Sequence, residues 1–429
     1  MENFNLSVSK TLEYDVVVAG GGFAGVGAAV ASAINGAKTL LVESGGDLGG
    51  DITKGLVPQL LDSKGKGGLV KKLFELLNEG ENTSARKGPR YDEEGNRIQG
   101  TMVNLEYVKY YLEKFCADAG ADILFHSTLA GCEMKDDKIS SVVIATEWGN
   151  LVVKAKVFID ATGNGALASM SGCEWEIGHP VTKQPQPAGS SVYVTGLENV
   201  KSTDTGEEKE RLKALLEEHG IKVSAEGVWQ LHSAVDNIWY LIFNSQFDLM
   251  PDNPLEMSRA IVKARAECVE VVDKLKKVPG YEKVKLLQTS SHIGIREGRR
   301  IKGKYFLTFD DITEGRKFED GICTVRFPID VHRISNEDKM EHTKGKSVKP
   351  YHIPYRSLLP EGCSNLLLAG RCISGDFYAH ASYRVAGCVM PTGEAAGYAA
   401  SLCIKEKTLP VNVDGRKVSK YMENNDYEI

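Results

Sequence analysis

None of the nine cysteines of this 429-residue chain belongs to a CxxC pair. That removes a thioredoxin-like redox couple and a zinc knuckle, and no metal site is expected. Nine scattered thiols are also too few for a disulfide-built secreted scaffold, and an odd count fits reduced thiols in a cytoplasm. Long runs of one charge are missing too. The 52 Lys and Arg are outnumbered by 58 Asp and Glu, and no basic segment stands out, so nucleic acid is not an expected partner. The opening MENFNLSVSKTLEYD has neither the basic region nor the apolar core of a signal peptide. One uncharged run of membrane length exists, Val16–Ile34, but glycines break it into a strand, a turn and a helix, so no membrane association is expected. Internal repeats of solenoid period are absent.

What is present is a soluble-protein composition, 42% hydrophobic and 26% charged, in a chain too long for one core. Tyr14–Ala19 reads as a buried parallel strand, Gly20–Gly22 as a tight turn, Phe23–Asn35 as a helix and Thr39–Glu43 as a second strand, together one βαβ unit. Helices are expected at Leu69–Leu77 and Leu105–Ala119. From Asp122 to Asp160, short strands and tight turns predict a three-stranded meander followed by a buried strand. Aromatic residues become denser after residue 171, with helices expected at Glu207–Glu218 and Pro254–Lys276. An apolar strand returns at Asn365–Ala369 and a small-residue helix follows at about Pro391–Cys403. The expected fold is therefore α/β: a discontinuous Rossmann-like domain with a β-meander, residues 1–170 and 346–429, carrying an inserted α+β substrate domain at residues 171–345.

Gly20-Gly21-Gly22-Phe23-Ala24-Gly25 is a G-x-G-x-x-G between a strand and a helix. Gly20 allows the turn, Gly22 lets backbone approach a pyrophosphate, and Gly25 lets the helix lie close to the sheet, while Phe23 and Ala24 open that helix toward the phosphates. Glu43, about twenty residues on, is placed to accept from ribose hydroxyls, with Ser44 beside it. No second such motif occurs, so a separate NAD(P)H domain with this fingerprint is not expected. FAD is favoured by Ala161-Thr162-Gly163 after a strand, and by Gly370-Arg371 after the returning strand. Gly375 and Asp376 follow, with Asp376 suited to ribityl hydroxyls.

Taken in order, these segments resemble the glutathione-reductase-type flavoproteins. The resemblance is greatest to the bacterial FAD-dependent oxidoreductase family, distantly akin to fumarate reductase flavoproteins. It runs from about Tyr14 to Cys403 and includes Leu48–Gly55, Ile293–Ile301, Ile353–Pro360 and His380–Val385. It implies that Gly49, Gly50 and Thr53 lie near flavin or pyrophosphate, that Ala130 offers backbone to adenine, and that Val385 belongs to the cofactor site. Covalently flavinylated relatives carry a histidine in the segment matching Gly45–Gly55. This chain has none there, which implies non-covalent FAD.

His380 and Arg384, four residues apart, are candidate catalytic residues: Arg384 to fork a substrate carboxylate, His380 to move a proton. Tyr355 is a third candidate. His292, Arg296, His352 and Arg356 are candidate substrate-binding residues, while Cys372 and Cys388 read as small buried hydrophobes. The expected function is hydride transfer between flavin N5 and a small polar substrate, with a carboxylate-bearing one among the options. Reduction of a C=C bond competes with oxidation of a C–OH or C–N bond. The alternative is a non-catalytic flavin electron carrier that needs a protein partner. The sequence leaves the external electron donor or acceptor and the oligomeric state open.

Overall fold

A computed structural model describes residues 7–85, 101–197, 200–203, 205–335 and 347–429. At its centre is a five-stranded parallel sheet, ordered Leu366–Leu368, Val157–Asp160, Val16–Ala19, Thr39–Val42, Asp122–Leu124. Each of these strands but Asp122–Leu124 is buried along its whole length, as expected of a parallel sheet covered on both faces. Helix Leu105–Ala119 begins on an Asn104 cap whose side chain accepts from the Glu106 amide, and it ends on Gly120 in the left-handed conformation. The meander is present as Ser127–Lys135, Lys138–Thr146 and Gly149–Lys154. Val8–Glu13 adds a parallel edge strand to it, which the sequence pattern does not announce.

The strands Ser191–Thr195, Trp229–His232, Trp239–Ile242 and Lys285–Thr289 form a separate antiparallel sheet. Val192, Val194, Trp239 and Leu241 pack against helices Gly206–Glu218 and Pro254–Leu275 in a core of their own. Alternation along the strands turns Trp229, Tyr240 and Ile242 to the opposite face. Leu307–Phe327 lies within the stretch the sequence pattern gives to the insert. Its apolar residues Leu307, Ile312, Ile322, Val325 and Phe327 nevertheless pack in the large core with the parallel sheet. A boundary at residues 345–346 falls outside the described residues.

Helix Phe23–Ile34 packs along helix Ala386–Glu406. Side chains at Gly393 and Gly397 would stand 1.9 and 2.2 Å from the carbonyl oxygens of Ala24 and Ala28. The two helices therefore meet backbone to backbone, which only glycine permits.

Candidate active site

The strand-to-helix turn is built from glycines with different reasons to be glycine. Gly20 has φ +98°, and a Cβ there would lie 2.6 Å from the Ala161 carbonyl oxygen. At Gly25 a Cβ would lie 1.7 Å from the Gly20 carbonyl oxygen. Both are demanded by the protein itself. Gly22 is not: its φ of −71° and ψ of −178° suit any residue, and a Cβ there would meet only the Gly50 Cα, 4.0 Å away. The space beside Gly22 is open. It belongs to a cleft of about 380 Å³ at the uncapped N-terminus of helix Phe23–Ile34.

Gly20, Gly22, Phe23, Ala24, Glu43, Ser44, Gly49, Gly50, Ala161, Thr162, Gly163, Gly370 and Arg371 all border this cleft. Arg371 donates to the Gly163 carbonyl at 2.9 Å, to the Asn164 side chain at 3.1 Å and to Asp51. Glu43 accepts from the Gly21 amide at 2.8 Å and from Lys54. Burial pushes the Glu43 carboxyl up, but the Lys54 charge and the hydrogen bonds from Lys54, Gly45 and Gly21 outweigh it, so its pKa falls below the ordinary value.

Other expected cofactor residues lie elsewhere. Thr53 sits behind the cleft wall, where its hydroxyl donates to the Leu48 carbonyl at 2.8 Å and holds the turn that carries Gly49 and Gly50. Ala130 faces out from its meander strand, and Ser127, Thr128 and Leu129 border the cleft in its place. Asp376 caps helix Phe377–Tyr383, accepting from the Tyr378 and Ala379 amides at 2.9 and 2.8 Å, and it also accepts from the Phe309 amide. Neither it nor Gly375 borders the cleft, because the helix start and the neighbouring Phe309 segment take up its oxygens.

A second cavity of about 250 Å³ adjoins the cleft and shares Asp51, Ile52, Arg371, Arg384 and Ala386 with it. Trp229, Tyr240 and Ile242 form one wall, and Val385, Arg296, Asp330 and His332 also line it. Arg384 Nη2 donates to the Asp330 carbonyl at 2.9 Å and to its carboxylate at 3.3 Å. Asp330 lies 3.5 Å from His332 Nε2. Burial first, then the charge of Arg296, lowers the His332 pKa, and Asp330 only partly opposes this, so the imidazole is neutral at pH 7. Asp330 and His332 were missed at the sequence level. Their one local signal is the alternation Ile329-Asp330-Val331-His332, with two polar residues sharing one side of an extended segment.

His292 borders the cofactor cleft, with Nε2 3.7 Å from Asp51, and burial lowers its pKa. The other polar candidates are not at the cavities. His380 is fully buried beside Tyr383, and among the described residues neither ring nitrogen has a hydrogen-bond partner. Burial, with Arg300, Arg384 and Arg371 adding to it, drives its pKa well below 6.5. Its spacing to Arg384 is helical, but its side chain turns into the core. Tyr355 is also buried, and its hydroxyl donates to the Pro410 carbonyl at 2.9 Å. His352 lies in the two-stranded sheet Gly321–Val325 with Tyr351–Pro354, where its Nδ1 accepts from the Phe318 amide. Arg356 makes a two-pronged ion pair with Asp320 at 2.9 and 3.1 Å. Tyr355, His352 and Arg356 belong to packing that the sequence order places next to the returning strand but the fold turns away from it.

The FAD dependent oxidoreductase family matches residues 15–422, nearly the whole chain. The chain belongs to that family. As a FAD-dependent oxidoreductase it is an enzyme, and the cleft beside Gly22 is a fitting place for its FAD. Digeranylgeranylglycerophospholipid reductase from Methanococcus aeolicus is 30% identical over 162 residues, which are 37% of this chain and 41% of that protein. The reductase of the same name from Methanocaldococcus jannaschii is 32% identical over 152 residues, 35% of this chain and 38% of that protein. The matches thus span about two fifths of these relatives. Among solved structures, a geranylgeranyl bacteriochlorophyll reductase-like protein from Thermoplasma acidophilum aligns with a TM-score of 0.50 at 16% identity, covering 96% of this chain and 83% of that one. Anhydrotetracycline hydroxylase from Streptomyces rimosus aligns with a TM-score of 0.52 at 13% identity, covering 97% and 66%. At these identities the shared property is the fold. Among the described residues, no helix of this oxidoreductase is long and apolar enough to cross a membrane.

Proposed function

We propose that this oxidoreductase takes a hydride from a C–OH or C–N carbon of a small polar substrate held in the second cavity. The observation that supports this reading is the junction of the two cavities at Asp51, Ile52, Arg371, Arg384 and Ala386, where a substrate would lie beside the cofactor cleft. FAD, when bound, supplies the hydride acceptor. The protein does the rest. The turn at Gly20–Gly25 and the first amides of helix Phe23–Ile34 would hold the pyrophosphate, and Glu43, which borders the cleft, would accept from a ribose hydroxyl. His332, neutral at pH 7, takes the substrate's O–H or N–H proton. Asp330 stabilises the imidazolium that results, and Arg384 fixes Asp330 through its carbonyl and carboxylate. Trp229, Tyr240 and Ile242 shield the reacting carbon from water.

FAD is held without a covalent bond in this reading, and the affiliation with glutathione-reductase-type flavoproteins, supported by the strand, glycine turn and helix, is part of it. A cytoplasmic location goes with it, since all nine cysteines are free thiols. A second reading, reduction of an activated C=C bond, is supported by the similarity to the two archaeal reductases. Acid precipitation tests the cofactor: yellow colour left in the pellet refutes non-covalent FAD. Anaerobic mixing tests the direction. Under the oxidation reading, polar alcohols and amines from a metabolite panel bleach the oxidised enzyme. If they fail, and unsaturated acceptors reoxidise the photoreduced enzyme, the second reading replaces the first.

A further inference from the structure

We propose that the second cavity binds its substrate as a monoanionic carboxylate held by Arg296, with a flat apolar body against Trp229, Tyr240 and Ile242. This rests on the reading of that cavity as the substrate site, and it moves the anchoring role away from Arg384. The charges around the two cavities otherwise pair off: Lys54 with Glu43, Arg371 with Asp51, and Arg384 with Asp330. Arg296 has no such partner. Among the described residues no carboxylate lies within ion-pair distance of it, and its hydrogen bond goes to the Pro187 carbonyl, 2.6 Å away. Arg296 lines the cavity, and its planar guanidinium has N–H donors beyond the one given to Pro187 with which to fork a carboxylate. Burial and then the nearby Arg384 charge lower the Arg296 pKa to about 10, and Asp330, Tyr240 and Glu226 oppose this only in part.

The charged side chains that line the cavity, Arg296, Arg371, Arg384, Asp51 and Asp330, sum to one positive charge, which a single carboxylate cancels and a phosphate dianion overshoots. The opposite wall is apolar and fixed, because strand pairing sets Trp229, Tyr240 and Ile242 on one face and the Tyr240 hydroxyl is hydrogen-bonded to Ser191 at 3.1 Å. A cavity of about 250 Å³ has room for a body of one or two rings.

Naphthoate and its neutral isostere naphthamide are the probes, titrated by calorimetry into the FAD-loaded enzyme while flavin absorbance is followed. Naphthoate binds about tenfold more tightly or better, the scale of a charged hydrogen bond. Arg296→Met erases that preference and Arg296→Lys keeps part of it, with FAD content unchanged in both. Equal affinity for the two probes, or no binding of either, in wild-type enzyme that holds FAD overturns the carboxylate assignment and leaves the redox reading standing. A preference that survives Arg296→Met overturns the role of Arg296. If the Met variant does not fold, the wild-type probe comparison and Arg296→Lys still decide the matter.

Discussion

Gly22→Ala separates what the fold needs from what the cofactor needs. The backbone at Gly22 is extended and open to any residue, and the new methyl would meet the protein only at ordinary contact distance from Gly50. The apoprotein therefore keeps its stability, or gains about 0.4–1 kcal/mol because alanine has fewer unfolded states to lose. The same methyl stands where a pyrophosphate would touch the turn. Losing one or two hydrogen bonds to a charged group costs about 3 kcal/mol, a rise of roughly a hundredfold in the dissociation constant for FAD. Gly20→Ala is the contrasting variant. Its φ of +98° and its contact with the Ala161 carbonyl damage the fold itself, by about 1–3 kcal/mol from backbone strain alone. Quenching of FAD fluorescence on titration into apoprotein gives the affinity, and thermal unfolding of the apoprotein gives the stability. Wild-type affinity in Gly22→Ala refutes the assignment of the phosphate site to this turn. A large fall in apoprotein stability refutes the claim that the protein has no need of this glycine.

Three further outcomes are expected. His332→Gln retains FAD but slows substrate bleaching of the flavin by roughly a hundredfold in stopped flow, and the acid limb of the wild-type rate lies below pH 6.5; a wild-type rate in the variant removes His332 from the chemistry. Tyr355→Phe loses the hydrogen bond to Pro410 and about 1 kcal/mol of stability while turnover is unchanged, so a large loss of turnover at normal melting temperature returns Tyr355 to the active site. Glu394 is buried, accepts from the Leu69 amide and Tyr427 hydroxyl, and burial raises its pKa from 4.5 to about 7. Between these values the folded state holds the proton that the unfolded state has released, so this group lowers stability as pH rises from 4.5 to 7, by about 3 kcal/mol in all. Melting curves from pH 5 to 8 should show that slope in the wild type and lose it in Glu394→Gln; an identical slope in both refutes the assignment.

The parts of the site that were legible in the sequence are those whose reasons are local. Gly20 and Gly25 are fixed by contacts within a few residues or by one neighbouring strand, and Glu43 ends the strand that follows. The meander and the long helices were legible from periodicity, and helix Leu105–Ala119 has the expected ends. Asp376 shows the limit. An aspartate after a glycine turn is as good a helix cap as a ribose acceptor, and only the fold shows that its oxygens are taken by Tyr378, Ala379 and Phe309 amides. His380 shows another. Spacing sets it one turn from Arg384, but spacing does not say which way the helix is rotated against the core. Asp330 and His332 were hidden for the opposite reason: Arg384, which pairs with Asp330, is distant in sequence, and the short alternation Ile329–His332 is their one local mark.

The seam between helices Phe23–Ile34 and Ala386–Glu406 acts as a gauge block. Where backbone rests on backbone there are no rotamers to change, so the spacing does not relax to suit whatever lies nearby. Phe23 and Ala24 at the start of one helix and Ala386 and Val389 at the start of the other all border the cofactor cleft. The width of the cleft on that side is thus machined into the fold before any ligand arrives. The Gly49–Lys54 stretch of the lining is held differently, by the Thr53 hydroxyl on the Leu48 carbonyl and by Lys54 on Glu43. One jaw of the vice is set by backbone resting on backbone, the other by polar contacts.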